Sequence, residues 1–572
     1  MKDKRNDMIA SFFPKAGLVS DPKVVDFMNS LPQTFSQAER LLSSNNRYVD
    51  DNVLQNRIML APFIRKFHSE ADTLHDNIKN QSSLLDDPAT KLFVSTHQPN
   101  LFAYGGVFKK VVLLETLKTS IEKYKEGRII NLFLIIDHDF IDEIWMRRAQ
   151  LPSFHHSSGL LQLRFSIDRA KMWQMVCNIP RPRETALYNW KRELVSWIKK
   201  SSSSPSHQKK MLDNLNQFWE EVEITYSKAR SYSDFNSFLM SRIVNSIWGY
   251  NTLFVRLSEI SQVFINGFKF LISNLRLYTD ILRRTEQTFL SQGISTGVSS
   301  TAYKKAPIWL HCKCGSKAPI SLSAPRKLAF KGTCISCKKE LILDLADPDN
   351  PDLSKVVDYI SPRAIAIPLL LSRDLEISCY CSGKAGVGYL MDASIISKHL
   401  GIRWPLPLVW ASKDAYRGLA QNQALNAIHM EILEAERRLQ ELHLINNDYG
   451  KKIHDLVIKR TELVKANRSL QGILEELFQL KEEQRRVRRE IEIIDKATKI
   501  SNLSPCIIDY AVNFGMVDTE KQWCRHLLEN GDLVTPVSFN QDRNGEELRT
   551  RPLSSWDSIS DTRARFPSYR DR

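Results

Sequence analysis

The stretch that decides the fold is Leu92-Phe-Val-Ser-Thr-His-Gln-Pro-Asn-Leu-Phe-Ala-Tyr-Gly-Gly-Val-Phe-Lys-Lys-Val111. It opens on an apolar run (Leu92, Phe93, Val94) that predicts a buried strand. A polar turn and two glycines follow. Then Val107, Phe108, Val111, Val112, Leu114 and Leu117 recur at close to a 3.6-residue period, which predicts a helix. A second apolar run, Ile129-Ile-Asn-Leu-Phe-Leu-Ile-Ile136, stops on Asp137-His138-Asp139. A strand, a helical crossover of about thirty residues and a second strand demand a parallel pair. Both polar clusters then fall at strand carboxyl ends, where open parallel sheets bind ligands.

Working outward, 572 residues predict about three or four domains. With 42% hydrophobic residues the chain can bury real cores. No apolar run reaches the roughly 20 residues of a membrane helix, and the first residues lack a signal-peptide core. The expectation is a soluble, cytoplasmic protein with no membrane partner. The net charge of +15 and pI near 9.2 suit phosphate and carboxylate ligands and also permit nucleic acid. Charge does not choose between them, and a solvated basic face explains part of the excess.

Nine cysteines in so long a chain are no disulfide scaffold. Cys312-Lys-Cys314-Gly315 and Cys334-Ile-Ser-Cys337, nineteen residues apart, have metal-ligand spacing. Four thiolates make a closed, structural Zn²⁺ site, and Gly315 lets the first knuckle turn its amides toward sulfur. His311 beside the first pair is an alternative ligand or a neighbour. Cys379 and Cys381 have no partner pair, so packing or a ligand-side role is favoured for them.

The remaining segments follow. Residues 1–90 read as amphipathic helices. Residues 91–304 form the first part of an α/β core, 305–345 a zinc-ribbon insertion, and 346–413 the second part of the core. Within the latter, Ser382-Gly-Lys-Ala-Gly-Val-Gly-Tyr389 is a glycine-rich turn opening a helix. Its Gly383, Lys384 and Gly386 are candidates to cradle phosphate, or simply a tight turn. Residues 414–504 contain no proline and read as two long charged helices broken at Asn446–Gly450. Leu456, Leu463, Leu470, Leu474, Leu477 and Ile491 mark a heptad-like seam, so an antiparallel coiled-coil hairpin or a dimer coil is expected. Arg485–Glu490 is read as a solvated basic face. Residues 505–539 are a packing segment, and 540–572 read as a disordered tail.

Thr96-His-Gln-Pro-Asn-Leu-Phe-Ala-Tyr-Gly-Gly106 followed by Lys109 resembles the "GHQ…LFTGP…K" motif of the cysteine-adding enzymes of bacillithiol biosynthesis. Asp137-His138-Asp139, with Asp142 and Glu143, resembles that family's "EDHD…E". Ser361-Pro362 is similar to its "SPN…RP", and Ser382–Tyr389 falls where the family has "GGPGE…Y". The likeness covers roughly residues 90–500, with the cysteine block as an insertion. It implies a Rossmann-like nucleotidyltransferase core, ATP with Mg²⁺, and attachment of cysteine to an amine. It also departs: Ser382, Lys384, Val387 and Ile367 stand where the family has glycine, proline, an acid and an arginine, and an arginine near Trp410 is missing. The expectation is therefore a ligase whose activating half is kept and whose acceptor differs from glucosaminyl-malate.

On this reading His97 donates to phosphate, and Gln98 and Asn100 bond ribose, phosphate or substrate. Gly105 and Gly106 allow close backbone approach, and Lys109 reaches phosphate. Asp137 and Asp139 hold Mg²⁺ or an ammonium, and His138 is the base for the attacking amine. Asp142 and Glu143 are read as helix-start charges. Expected partners are the amino acid, the amine acceptor and a second copy of the chain. The alternatives are a synthetase-like RNA-binding protein and a non-catalytic scaffold.

Overall fold

The computed structural model describes residues 9, 12–16, 19, 21–44, 49–124, 128–202, 204–299, 301–324, 329–345 and 351–540. The tail expected to be disordered lies outside the described residues, apart from Asn540.

The strand-helix-strand pattern produces a parallel sheet. Its strands are β1 (Lys91–His97), β2 (Ile129–Ile135), β3 (Leu253–Arg256), β4 (Cys379–Ser382) and β5 (Leu406–Val409), in the order β5-β4-β1-β2-β3. All four pairings are parallel. Lys91 stands opposite Ile129 and His97 opposite Ile135, while Phe93 stands opposite Cys379. The chain builds from β1 outward to β3, then returns to add β4 and β5 on the other side of β1. Strand order therefore reverses between β1 and β4, and loops leaving these two strands diverge to open a crevice beyond their carboxyl ends.

Period-two alternation buries both faces of the sheet. Phe93, Phe133, Phe254, Cys379 and Cys381 enter one core, together with Val107, Phe108 and Val111 of α1 (Gly105–Tyr124). Leu92, Val94, Ile130, Leu132 and Tyr380 enter the other. Cys379 and Cys381 thus serve packing. The described residues between 21 and 90 are mainly helical, as expected, and Arg57 from Asp51–Glu70 clamps the amino ends of β1 and β4. Its guanidinium donates to the carbonyls of Thr90 (2.8 Å), Leu375 (2.9 Å) and Glu376 (3.0 Å).

The cysteine block is sewn into this body. Its strand Ile308–His311 pairs antiparallel with Lys317–Pro319 on one side and, on the other, with Ile360–Pro362 from beyond the block. A second antiparallel sheet joins Ser321–Ala324, Ala329–Thr333 and Glu340–Asp344.

After β5, helix α2 having already run from Val387 to His399, two long helices form the C-terminal helical region. They are α3 (Ile432–Lys465) and α4 (Gln471–Asn502). The break expected at Asn446–Gly450 is absent; α3 runs through it and the chain turns after Lys465, with Asn467 at a left-handed φ of 52°. Asn446 and Gly450 lie on the inward face. There Gln484 donates to the Asn446 carbonyl at 3.3 Å and Arg488 to its Oδ1 at 3.1 Å. These contacts offset the roughly 1 kcal/mol that a helical glycine costs. The inward face of α4 runs through Ile473, Leu477, Leu480, Gln484, Val487, Ile491 and Ile494. Leu474, expected in the seam, is 47% exposed, and Leu470 precedes the helix.

Candidate functional site

A cavity of 560 Å³ opens beyond the carboxyl ends of β1, β2 and β4. Among the expected residues, His97, Gln98, His138, Asp139, Gly383 and Gly386 line it together. Gln98 Nε2 donates to Asp139 Oδ2 at 3.0 Å, linking the tips of β1 and β2. Thr96 Oγ1 and Tyr380 Oη lie 2.6 Å apart, linking β1 to β4. Below the glycine turn, an added Cβ at Gly386 would stand 2.1 Å from Ser382 Oγ, so any side chain there would first have to turn the Ser382 hydroxyl away.

His97 is half-buried, and its Nδ1 lies 2.8 Å from the Gln98 carbonyl. A carbonyl only accepts, so Nδ1 carries the hydrogen and Nε2 the lone pair. Burial, with Lys110 nearby, holds its pKa down at about 3. In the free cavity His97 is thus neutral with its lone pair at Nε2. His138 is also neutral: burial, then His311 and Lys317, push its pKa well below the usual value. Its ring centroid lies 4.7 Å from that of His311, and its buried Nδ1 has no hydrogen-bond partner. His311 in turn bonds Ser361 Oγ at 2.9 Å and stands outside the cysteine cluster.

The other expected residues point elsewhere. Asp137 is fully buried and accepts from Ser258 N (2.9 Å) and Oγ (2.6 Å). Burial raises its pKa to about 6. With Asp137 turned inward, Asp137 and Asp139 do not form a two-carboxylate Mg²⁺ site, and Asp139 is the one carboxylate lining the cavity. Asn100 is buried with no partner for its carboxamide, beside a separate cavity of 20 Å³ that it shares with Asn236. Gly105 packs against Tyr510, whose Cε2 would lie 2.5 Å from an added Cβ, and Gly106 meets nothing within 4 Å; neither lines the cavity. Gly105 serves helix packing rather than ligand approach, and Gly106 is exposed. Lys384 is exposed and outside the lining.

Lys109 is the clearest correction. Its ammonium is buried against Asp414 Oδ1 (2.7 Å), the Ser412 carbonyl (3.0 Å) and the face of Trp410 (4.3 Å). One residue on, about 100° round the helix, Lys110 faces the cavity. Its Nζ donates to the Thr96 carbonyl at 2.5 Å, and burial lowers its pKa to about 8.

Three further cavity groups had no legible signal: Lys317, Arg363 and Trp309. Lys317 follows the first cysteine pair and donates to the His138 carbonyl at 2.5 Å. With Lys110 and Lys305, these side chains put four lysines and arginines against a single carboxylate in the lining. The cavity suits an anionic ligand.

Cys312, Cys314, Cys334 and Cys337 converge so that their sulfurs all lie within 4.8 Å of one another. Two of the sulfur pairs stand at 3.6 Å. Ligands about 2.3 Å from one Zn²⁺ stand about 3.8 Å apart in a tetrahedron, so the four thiols could hold such a metal. Gly315 turns with φ 86°, and the amides of Cys314, Ser316 and Lys339 point at the sulfurs of Cys312, Cys314 and Cys337. All four positions are filled by protein, which leaves none open for catalysis.

Among the described residues, no helix is long and apolar enough to cross a membrane. Compared with known proteins, the chain matches no protein-family model and no curated sequence.

Proposed function

We propose that this chain is an ATP-dependent ligase joining an amino acid, cysteine on the resemblance, through an amide to an amine acceptor in the synthesis of a bacillithiol-like thiol. The observation that carries the reading is one cavity in which His97 and Gln98, His138 and Asp139, and the turn at Gly383 and Gly386 meet where strand order reverses. On this reading the sheet is a Rossmann-like nucleotidyltransferase core and the cysteine block a zinc ribbon. The α3–α4 hairpin is then an antiparallel coiled coil that joins two copies. Its outer Ile458, Val464, Leu474 and Phe478, from 47% to 67% exposed, support that pairing.

Making an amide from a carboxylate near neutral pH needs a leaving group. A carboxylate oxygen attacks the α-phosphorus of ATP and pyrophosphate departs. The acceptor amine then attacks the acyl carbon, a C–N bond forms, and AMP departs. Lys110 and the N-terminal amides of α2 suit the phosphates. His97 Nε2 has the free lone pair to take the amine proton, and a negative charge bound beside it raises its low pKa toward use. The pair Asp137 and Asp139 does not fit Mg²⁺, because Ser258 occupies both oxygens of Asp137.

Pyrophosphate exchange with each of the twenty amino acids tests the reading. Cysteine-dependent exchange that is lost in Lys110→Met is expected, whereas His97→Ala should keep exchange and lose amide formation with the acceptor amine. Exchange that requires tRNA would favour a synthetase-like RNA-binding protein, and no exchange with any amino acid would overturn the ligase.

A further inference from the structure

Two cations share one aromatic ring at the cavity wall. Lys317 Nζ lies 4.7 Å from the Trp309 ring centre and the Arg363 guanidinium carbon 5.2 Å from the same centre. Phe140 flanks Lys317 as well, at 4.6 Å. Neither charge is closely paired. Among the described residues no carboxylate pairs with Arg363, and the carboxylate nearest Lys317 is Asp139 at 4.0 Å, itself bonded by Gln98 and by the Phe140 amide. Like charges held this close oppose each other, and rings stabilise cations without cancelling their charge. A buried lysine that served packing alone would carry a carboxylate partner, as Lys109 does.

The placement of Lys317 depends on the cysteine block. Lys317 lies three residues after Cys314, and its carbonyl accepts from the amide of Ile335, next to Cys334, at 3.2 Å. Ser316, between Gly315 and Lys317, accepts from the Cys312 amide at 2.8 Å. Both cysteine pairs therefore grip the backbone that aims this ammonium. The knuckle also docks on the loop behind the site. Gln174 and Asn178 donate to the carbonyls of Cys314 and Gly315, and the amides of Val176 and Cys177 donate to the carbonyls of Asp139 and Asp137.

We propose that Lys317, Arg363 and Trp309 form a subsite for an anionic group, phosphate or carboxylate, of a small substrate. We propose also that a metal held by Cys312, Cys314, Cys334 and Cys337 sets the affinity of this subsite by fixing Lys317. The subsite rests on its own geometry and stands or falls apart from the ligase reading. It gives the cysteine block a part in ligand binding.

Calorimetric titration of the full-length, metal-loaded chain with pyrophosphate, and separately with citrate, tests it and distinguishes the two chemistries. One probe is expected to bind at one site per chain. Lys317→Met and Arg363→Met should each weaken it ten-fold or more, and Arg363→Lys should lose less. Lys210→Met, exposed on the helix Pro205–Lys228 and outside the lining, should leave it unchanged. Arg363 is half-exposed, so its variants report even if Lys317→Met folds poorly. Cys334→Ser should lose one bound metal per chain and weaken the same titration ten-fold, with the circular dichroism of the sheet retained. Binding of neither probe, or undiminished binding in both Met variants, overturns the subsite. Equal affinity in metal-loaded and metal-stripped protein overturns the coupling.

Discussion

Lys109 and Lys110 are neighbours on α1, both buried, and they face two different kinds of surroundings. Lys109 points to the stretch after β5, where Asp414 neutralises it and also accepts from Tyr510 Oη (2.5 Å) and Trp523 Nε1 (2.8 Å) of the C-terminal packing segment. Lys110 points to the cavity, where its ammonium meets a backbone carbonyl and the Phe133 ring and, among the described residues, no carboxylate. The difference separates structure from site. Where charge is paired at close range, the group holds the fold. Where charge is left over, a ligand is expected to complete it. Asp137 and Asp139 differ too: Asp137 is fully buried and locked by Ser258, whereas Asp139 lines the cavity and stands 4.0 Å from Lys317.

The comparison can be broken most decisively at Asp414. Asp414→Ala strands the buried Lys109 charge and should cost about 3–5 kcal/mol in urea unfolding. Lys110→Met, by contrast, should change stability by about 1 kcal/mol while weakening phosphate-bearing ligands. Equal stability costs for the two would end the distinction.

A smaller effect sharpens it. His68 is a saturated histidine, accepting from the Phe254 amide at 2.9 Å and bonded to Thr73 Oγ1 at 2.7 Å. Burial holds its pKa at about 3, below its unfolded value near 6.5. The unfolded chain therefore takes up the proton first as pH falls. This stability is complete above about 6.5 and is lost as pH drops toward 3. Unfolding free energy should fall by about 2 kcal/mol for this group between pH 7 and 5, and His68→Gln should flatten the slope by that amount.

The smallest effect concerns the hairpin. Gly450 faces Gln484 Nε2, which would meet an added Cβ at an ordinary 3.7 Å. Gly450→Ala should raise thermal stability by about 0.5–1 kcal/mol, through helix propensity and a stiffer unfolded chain. A loss instead would mean that the layer of Asn446 and Gln484 needs the glycine.

Local patterns carried much of this architecture. The apolar runs ending at His97 and Ile136, and the spacing of the four cysteines, were legible because their signals lie within a few residues. The partners were not. Asp414 lies 305 residues from Lys109, and Ser258 lies 121 from Asp137. Nothing near either residue says which charge will be cancelled. Two adjacent lysines at a helix start are equivalent in sequence until the helix phase is set by packing. Asn446–Gly450 has the composition of a turn, and only the facing Gln484 and Arg488 explain why the helix continues. Lys317 had no signal, because its aim depends on how two distant cysteine pairs close.

The return of the chain to β1 has a consequence for biosynthesis. Thr96 on β1 and Tyr380 on β4 meet across 284 residues. At a translation speed of about 5–20 residues per second, one flank of β1 waits roughly 15–60 s on the ribosome before its neighbour emerges. An apolar strand with an unpaired flank is a template for wrong partners. Nascent chains of this protein should therefore depend on holding chaperones through the middle of synthesis, and translational pausing between β3 and β4 should lower the yield of native protein more than pausing after β5.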